Sequence, residues 1–398
     1  MTLNLRTSSL VACAVALIGW SAGGQVPLAL SQGQRIQPKN SSLKSITVLQ
    51  ANGARPRFSP DGKVLVFDRR NADEYFDVYL SDIQGNILRK ITEGNPGITQ
   101  RNNGNARFDP SGKFIVFVSE APRHYLDDRP RMGDSGIGLY SNFWATDLQG
   151  SHFWQLTHEP VKQSMTDGVP NFAESNPLFS RDGHTFLWTQ RYADRGHFFG
   201  WWRIMAADFV VSDGQPSLRN QRILITPQKG NYITAMAFLD SDHLLVSGNL
   251  DGQHEYGMDQ YVYDLRSGHF VNLTNTPLIW DEDSCLAPNG DIVWMSNQDS
   301  RIKFDFSERH GVTQPIEREY YSMTSTGQDK QRLTYFNEPG APEYVGIRTL
   351  VAACDISPDG RYLAGTLSID FGTASRRERG ELKAILIEFA QPMAGTHH

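Results

Sequence analysis

The densest run of groups able to do chemistry is Asp281-Glu282-Asp283, with Glu174 and Asp355 as further acids and Arg55, Arg57 and Arg107 as basic counterparts. Paired carboxylates can work as general acid and base, and three acids on one loop can offer a hard cation several oxygens at once. The run lacks the D-x-[DN]-x-[DN]-G spacing of a calcium loop, and consecutive residues of a strand face opposite ways. No metal or other cofactor is therefore expected, a divalent cation such as calcium being the alternative, and no catalytic residue is assigned. There is no G-x-S-x-G elbow, no H-E-x-x-H pair and no glycine-rich phosphate loop. Gly133-Asp134-Ser135-Gly136-Ile137-Gly138 reads as a flexible insertion, and His124, His158, His197, His254 and His310 follow no ligand spacing.

A repeat positions these groups. Phe58-Ser59-Pro60-Asp61-Gly62-Lys63 returns as Phe108-Asp109-Pro110-Ser111-Gly112-Lys113, and related segments begin at Phe179, Phe238, Leu286 and Ile356. Each has an apolar residue closing a strand, a turn, and alternating apolar residues opening the next strand. A second hairpin follows, ending in an apolar residue and threonine, as in Val78 to Thr92, Phe143 to Thr157, Tyr261 to Thr274 and Tyr320 to Thr334; blade three is looser, from Trp202 to Thr226. Two hairpins per repeat make a four-stranded antiparallel sheet, and such sheets bury their faces against copies of themselves. The reading is all-β: a six-bladed β-propeller of four-stranded antiparallel blades. Its last repeat runs out near Glu388-Phe389, whereas Leu43 to Thr47 resembles Leu88 to Thr92, so a strand at about 43 to 49 is expected to complete the sixth blade and remove an open edge.

The Pro/Asp/Gly turn and the D-x-x-G…L-T ending resemble the Tol-type repeat of the TolB-like family over about residues 43 to 390. The resemblance implies the propeller. It does not choose a function, because propellers of this type serve as periplasmic binding scaffolds, peptidase accessory domains and, in some cases, lyases.

Residues 1–24, with Arg6 ahead of an uncharged stretch to about Trp20, read as a signal peptide, cleavage extending up to about residue 31. Residues 32–42 read as a linker, 43–390 as the propeller and 391–398 as a tail. The expected location is periplasmic or secreted, with no membrane span. Such a location leaves Cys285 and Cys354 open to a disulfide if their Cα atoms approach within about 7 Å, or they are two buried thiols. A net charge of −6, from 38 basic and 44 acidic residues, gives no clustered positive field for nucleic acid.

In an up-and-down blade the tight turns share one face, and the second-to-third loops and inter-blade connections share the other. The long segments, 120–138, 158–176, 192–200, 298–316, 335–353 and 369–381, therefore crowd one face. Residues expected just ahead of the innermost strands should line the channel mouth there: Arg55, Arg57, Asn105, Arg107, Glu174, Asn176, Thr234, Asp281, Glu282, Asp283 and Asp355. The same residues could instead form a salt-bridged plug. The reading leans to a monomeric, non-catalytic scaffold binding a protein or peptide on this face and at the channel mouth. The alternative is a carbohydrate-active lyase or hydrolase using the mouth carboxylates.

Overall fold

The repeated turn is built from side chains that close on their own backbone. In the computed structural model, Ser59 Oγ donates to Asp61 Oδ1 at 2.6 Å and accepts the Val64 N–H at 3.0 Å. Ser180 with Asp182, and Ser357 with Asp359, repeat the arrangement. In blade two Asp109 takes over, accepting from Ser111 and from the Phe114 N–H. Gly62 supplies the positive φ, +71°, that ends the turn.

The closing threonine has an equally local reason. Thr92 Oγ1 accepts the Val78 N–H and donates to Asp77; Thr274 and Thr334 do the same with Asp259 and Glu319. One hydroxyl thus ties the outermost strand to its neighbour and satisfies a buried carboxylate. In blade two Thr157 donates instead to Glu174 of the next blade.

The structure describes residues 30–126, 133–194, 200–228, 230–303, 305, 316–369 and 381–395. The segment read as a signal peptide lies outside them, as do His197 and His310. Blade one comprises strands Gly53–Phe58, Val64–Arg70, Phe76–Asp82 and Ile87–Lys90. Blades two to five follow the same order, with innermost strands Asn103–Phe108, Ala173–Phe179, Ile233–Phe238 and Asp281–Leu286. Blade three, expected to be looser, instead carries long outer strands, Trp201–Ser212 and Gln215–Ile225.

The sixth blade runs outward from Thr349–Ile356 through Tyr362–Ile369 and Glu381–Phe389, and is completed by Leu43–Ala51, which pairs Ile46 with Ile387 and Val48 with Ile385. Arg35–Ile36 adds a short fifth strand outside it. The innermost strands neighbour one another in order from blade one to six and back to one, which closes the ring.

The core lies between blades. Trp188 and Trp294 are fully buried there, while Trp144 and Trp154 pack half-buried against the cores flanking blade two. Every connection inside a hairpin is short, so the longer connections gather at the opposite ends of the strands, as the repeat requires.

Candidate functional site

Each innermost strand breaks register once, between Ala54 and Arg57, Gly104 and Arg107, Ser175 and Leu178, Ala235 and Ala237, Glu282 and Cys285, and Ala352 and Cys354. At five of these bulges a residue three positions before the strand's closing apolar side chain has positive φ: Arg55, Asn105, Asn176, Asp283 and Ala353. A bulge re-aims a side chain. Asn105, Asn176, Asp283 and Ala353 consequently line the central channel. Sequence spacing placed these residues ahead of the innermost strands; the strands start earlier, and the residues lie within them. Arg57, Arg107 and Asp355, each one residue from the end of a strand, belong to the tight-turn half of the channel, not to the long-loop mouth.

That half is narrow. Arg57 donates to the Cys354 carbonyl, Asp355 Oδ2 accepts the Phe58 N–H at 2.8 Å, and Asn105 Nδ2 donates to Asn176 Oδ1, whose own amide donates to Thr234 at 2.7 Å. The space left is about 10 Å³, the room of roughly one water. Cys285 and Cys354 form a disulfide between the innermost strands of blades five and six, with Cα atoms 5.7 Å apart, which settles the choice between a bridge and two thiols.

Two of the expected mouth carboxylates are engaged in the blades. Glu174 accepts from Thr157 Oγ1, Trp188 Nε1 at 3.2 Å and the Phe143 N–H at 3.3 Å. Asp281 accepts from Trp294 Nε1 at 3.0 Å and Thr276 Oγ1 at 2.6 Å. Burial pushes Glu174 up to about 8 and Asp281 up to about 6, against the pull of these donors.

A carboxyl whose folded pKa is raised keeps its proton in the native state, so its favourable contribution is complete below the ordinary carboxylate range. It is lost as pH climbs toward the folded value. Stability is accordingly expected to fall between pH 5 and pH 8 by up to about 4 kcal/mol through Glu174. Urea titrations across that range should show the slope, and Glu174→Gln should flatten it; an unchanged slope in the variant would contradict this assignment.

The residues that face the long-loop mouth are a smaller set, and some carry no repeat signal. Asp281, Glu282 and Asp283 diverge, as expected of a strand: Asp281 into the blade, Asp283 to the channel, and Glu282 to Trp280 Nε1 at 2.9 Å. Burial first, and then the Asp283 charge, push Glu282 up to about 7. Arg318, 9 % exposed, lies 3.9 Å over the Trp280 ring. It feels the charges of Glu282 and Asp283, yet its side chain makes no hydrogen bond or ion pair with any described residue, and its Nε is buried without a partner. Around it pack Tyr256 against Trp280 and Trp202 against Tyr232. Arg318 follows a long second-to-third connection, where the repeat register gives no cue.

Arg55 anchors the opposite wall. Its Nε donates to Asp68, a guanidinium nitrogen donates to Ser135 Oγ at 2.7 Å, and Asp134 lies at 3.5 Å. Ser135 in turn donates to Asp68 at 3.0 Å and is fully buried. The 133–138 segment, read from sequence as flexible, is instead docked onto the mouth by these bonds. Among the histidines, His124 sits at 2.7 Å from Glu120 and stacks on Tyr140, while His254 Nδ1 accepts the Tyr256 N–H. Among the described residues no three His, Cys, Asp or Glu side chains converge as a metal site.

No family model and no curated protein matches this sequence. Solved structures match in fold. A gluconolactonase from Xanthomonas campestris gives a TM-score of 0.51 at 12% identity, over 90% of this chain and 98% of that one. An oligogalacturonate lyase from Vibrio parahaemolyticus gives 0.47 at 9% identity, over 90% of this chain and 98% of that one. TolB from Acinetobacter baumannii gives 0.45 at 14% identity over 84% of this chain, which spans 65% of that protein's length. At such identities the likeness concerns the fold alone.

Proposed function

We propose that this chain is an exported, monomeric and non-catalytic scaffold that holds a protein or peptide segment at the long-loop mouth of its channel. The observation that carries this reading is Arg318, a buried guanidinium with no hydrogen-bond or ion-pair partner among the described residues, set beside two carboxylates and an aromatic wall. A buried donor left unmade is costly, and a ligand carboxylate arriving there would satisfy it. Glu282 and Asp283 supply acceptors for a backbone N–H or a basic side chain of the same segment. Arg55, held by Asp68, and the docked 133–138 segment keep the opposite wall in place, so little ordering entropy is lost on binding. Among the described residues no helix is long and apolar enough to cross a membrane; export rests on the reading of residues 1–24.

The test is selection of a random peptide library on the folded chain, followed by titration of the recovered peptides. Arg318→Met is expected to weaken them at least about 30-fold, the loss of a buried charge-assisted contact of roughly 2 kcal/mol. Affinities within twofold of the unaltered chain, with unfolding midpoints unchanged, would refute the assignment.

One observation favours the carbohydrate-active alternative. Glu282, raised to about 7 beside Arg318, is poised for proton transfer near neutral pH. Its weakness is the partner: hydrolysis uses two carboxylates roughly 5 to 10 Å apart, and Glu174 and Asp281 are turned into the blades. Turnover of acidic or neutral oligosaccharides that vanishes in Glu282→Gln would favour this second reading over the first.

A further inference from the structure

Every blade sends its innermost strand to one constriction. Arg57, Asn105, Asn176, Ala235, Asp283 and Ala353, one from each blade in turn, close around a space of about 10 Å³. That is the room of roughly one water, so no polypeptide can thread the ring. The long-loop mouth is therefore a blind recess, and a segment entering it must stop above the constriction or turn back.

The heads of three successive innermost strands furnish this recess. Tyr232 immediately precedes Ile233–Phe238, Trp280 immediately precedes Asp281–Leu286, and Arg318 bridges to Leu350 at the start of Thr349–Ile356. Arg318 is nine-tenths buried, and its Nε has no partner among the described residues. Arg55, the cation of the opposite wall, is already paired with Asp68. Beside Arg318, Glu282 accepts from Trp280 Nε1 at 2.9 Å, and the Asp283 carboxylate accepts no hydrogen bond from any described residue. Neither acid forms an ion pair with Arg318, although the charges of both act on it. One uncommitted cation thus stands next to two acceptors. This is the complement of a chain's last residue, which carries a carboxylate and, across a single Cα, an N–H. An α-ammonium end would meet the same acceptors but leave the guanidinium unpaired. Resting on the scaffold role proposed above, we infer that the recess captures the free C-terminal end of a polypeptide, its carboxylate on Arg318, its last N–H on Glu282 or Asp283, and an apolar last side chain on the aromatic wall. Capture of a terminal carboxylate is a recurring way of holding peptides. The wall is Tyr256 against Trp280, with ring centroids 4.9 Å apart, and Trp202 against Tyr232, at 5.5 Å. Glu282, raised to about 7 chiefly by burial, repels an incoming carboxylate less than a fully ionised acid would.

One random hexapeptide library, N-acetylated and made with both free and amidated C-termini, is passed over the folded chain, and the recovered sequences are titrated in both forms. The expected result is recovery of free-acid peptides ending in apolar or aromatic residues, with amidation weakening them at least about 30-fold and Arg318→Met reducing that difference to less than about threefold. Amidated peptides that bind within about twofold of the free acids overturn C-terminal capture. If those peptides still lose affinity in Arg318→Met, an internal acidic side chain occupies the guanidinium and the scaffold role stands without the capture. Recovery of no peptide in either form overturns the scaffold role and the capture together. Should Arg318→Met fail to fold, the two peptide forms on the unaltered chain decide.

Discussion

Replacing Ile46 by aspartate is expected to destroy the cooperative unfolding transition or to lower its urea midpoint drastically. Ile46 is fully buried, lies opposite Ile387, and belongs to the strand that brings the N-terminal end of the propeller into the last blade. The substitution puts an unpaired carboxylate into the largest core cluster, a loss of more than about 4 kcal/mol. A domain's whole margin is about 5 to 15 kcal/mol. The effect is larger than that of an equally buried residue elsewhere, because Leu43–Ala51 also covers the edge of Glu381–Phe389. Losing that strand opens the ring and exposes a long apolar edge. Lys44→Ala on the same strand is the control: its ion pair with Glu388 is solvent-exposed and worth less than about 1 kcal/mol. If Ile46→Asp unfolds within about 1 kcal/mol of the unaltered chain, the strand is not what closes the ring.

The closing strand was readable because Leu43 to Thr47 repeats the apolar-threonine ending of the other blades, and the blades were readable because each turn must satisfy its own backbone with Ser, Asp and Gly. Bulges leave no such trace. An inserted residue changes neither composition nor alternation strongly, so Arg55, Asn105, Asn176 and Asp283 seemed to precede their strands when they stand inside them. The same blindness made Arg55 and Arg57 look alike. One lies in a bulge and reaches Asp68, while the other reaches the opposite half of the channel. Glu174 and Asp281 were singled out as acids at the right height, but whether such an acid faces the channel or the blade depends on partners distant in sequence, Thr157, Trp188 and Trp294. Arg318 lies at the end of a variable connection, where periodicity is silent, and only the assembled structure brings it over Trp280.

Asp68→Leu is expected to destabilise the fold by about 3 to 5 kcal/mol, and Arg55→Met by a similar amount, whereas the double variant should lose far less than their sum. Asp68 is fully buried, and its Oδ2 accepts from Arg55 Nε, from the Asn105 N–H at 2.9 Å and from Ser135 Oγ at 3.0 Å. Removing Asp68 takes the nearest carboxylate from the largely buried Arg55 guanidinium, leaving it Ser135 Oγ at 2.7 Å and Asp134 at 3.5 Å, and removing Arg55 leaves a buried carboxylate. Burial already raises the Asp68 pKa against the pull of Arg55, so without Arg55 its proton would be taken up at still higher pH. Arg55→Met should therefore be most harmful at alkaline pH, where the stranded carboxyl must ionise. A coupling energy above about 2 kcal/mol from urea unfolding of the four proteins would establish the pair as a unit; additive losses would reduce it to two unrelated packing defects. The pair also fastens Ser135, so hydrogen exchange in 133–138 should accelerate in either single variant. Exchange that stays slow would mean the insertion is held by something other than the wall Arg55 and Asp68 build at the mouth.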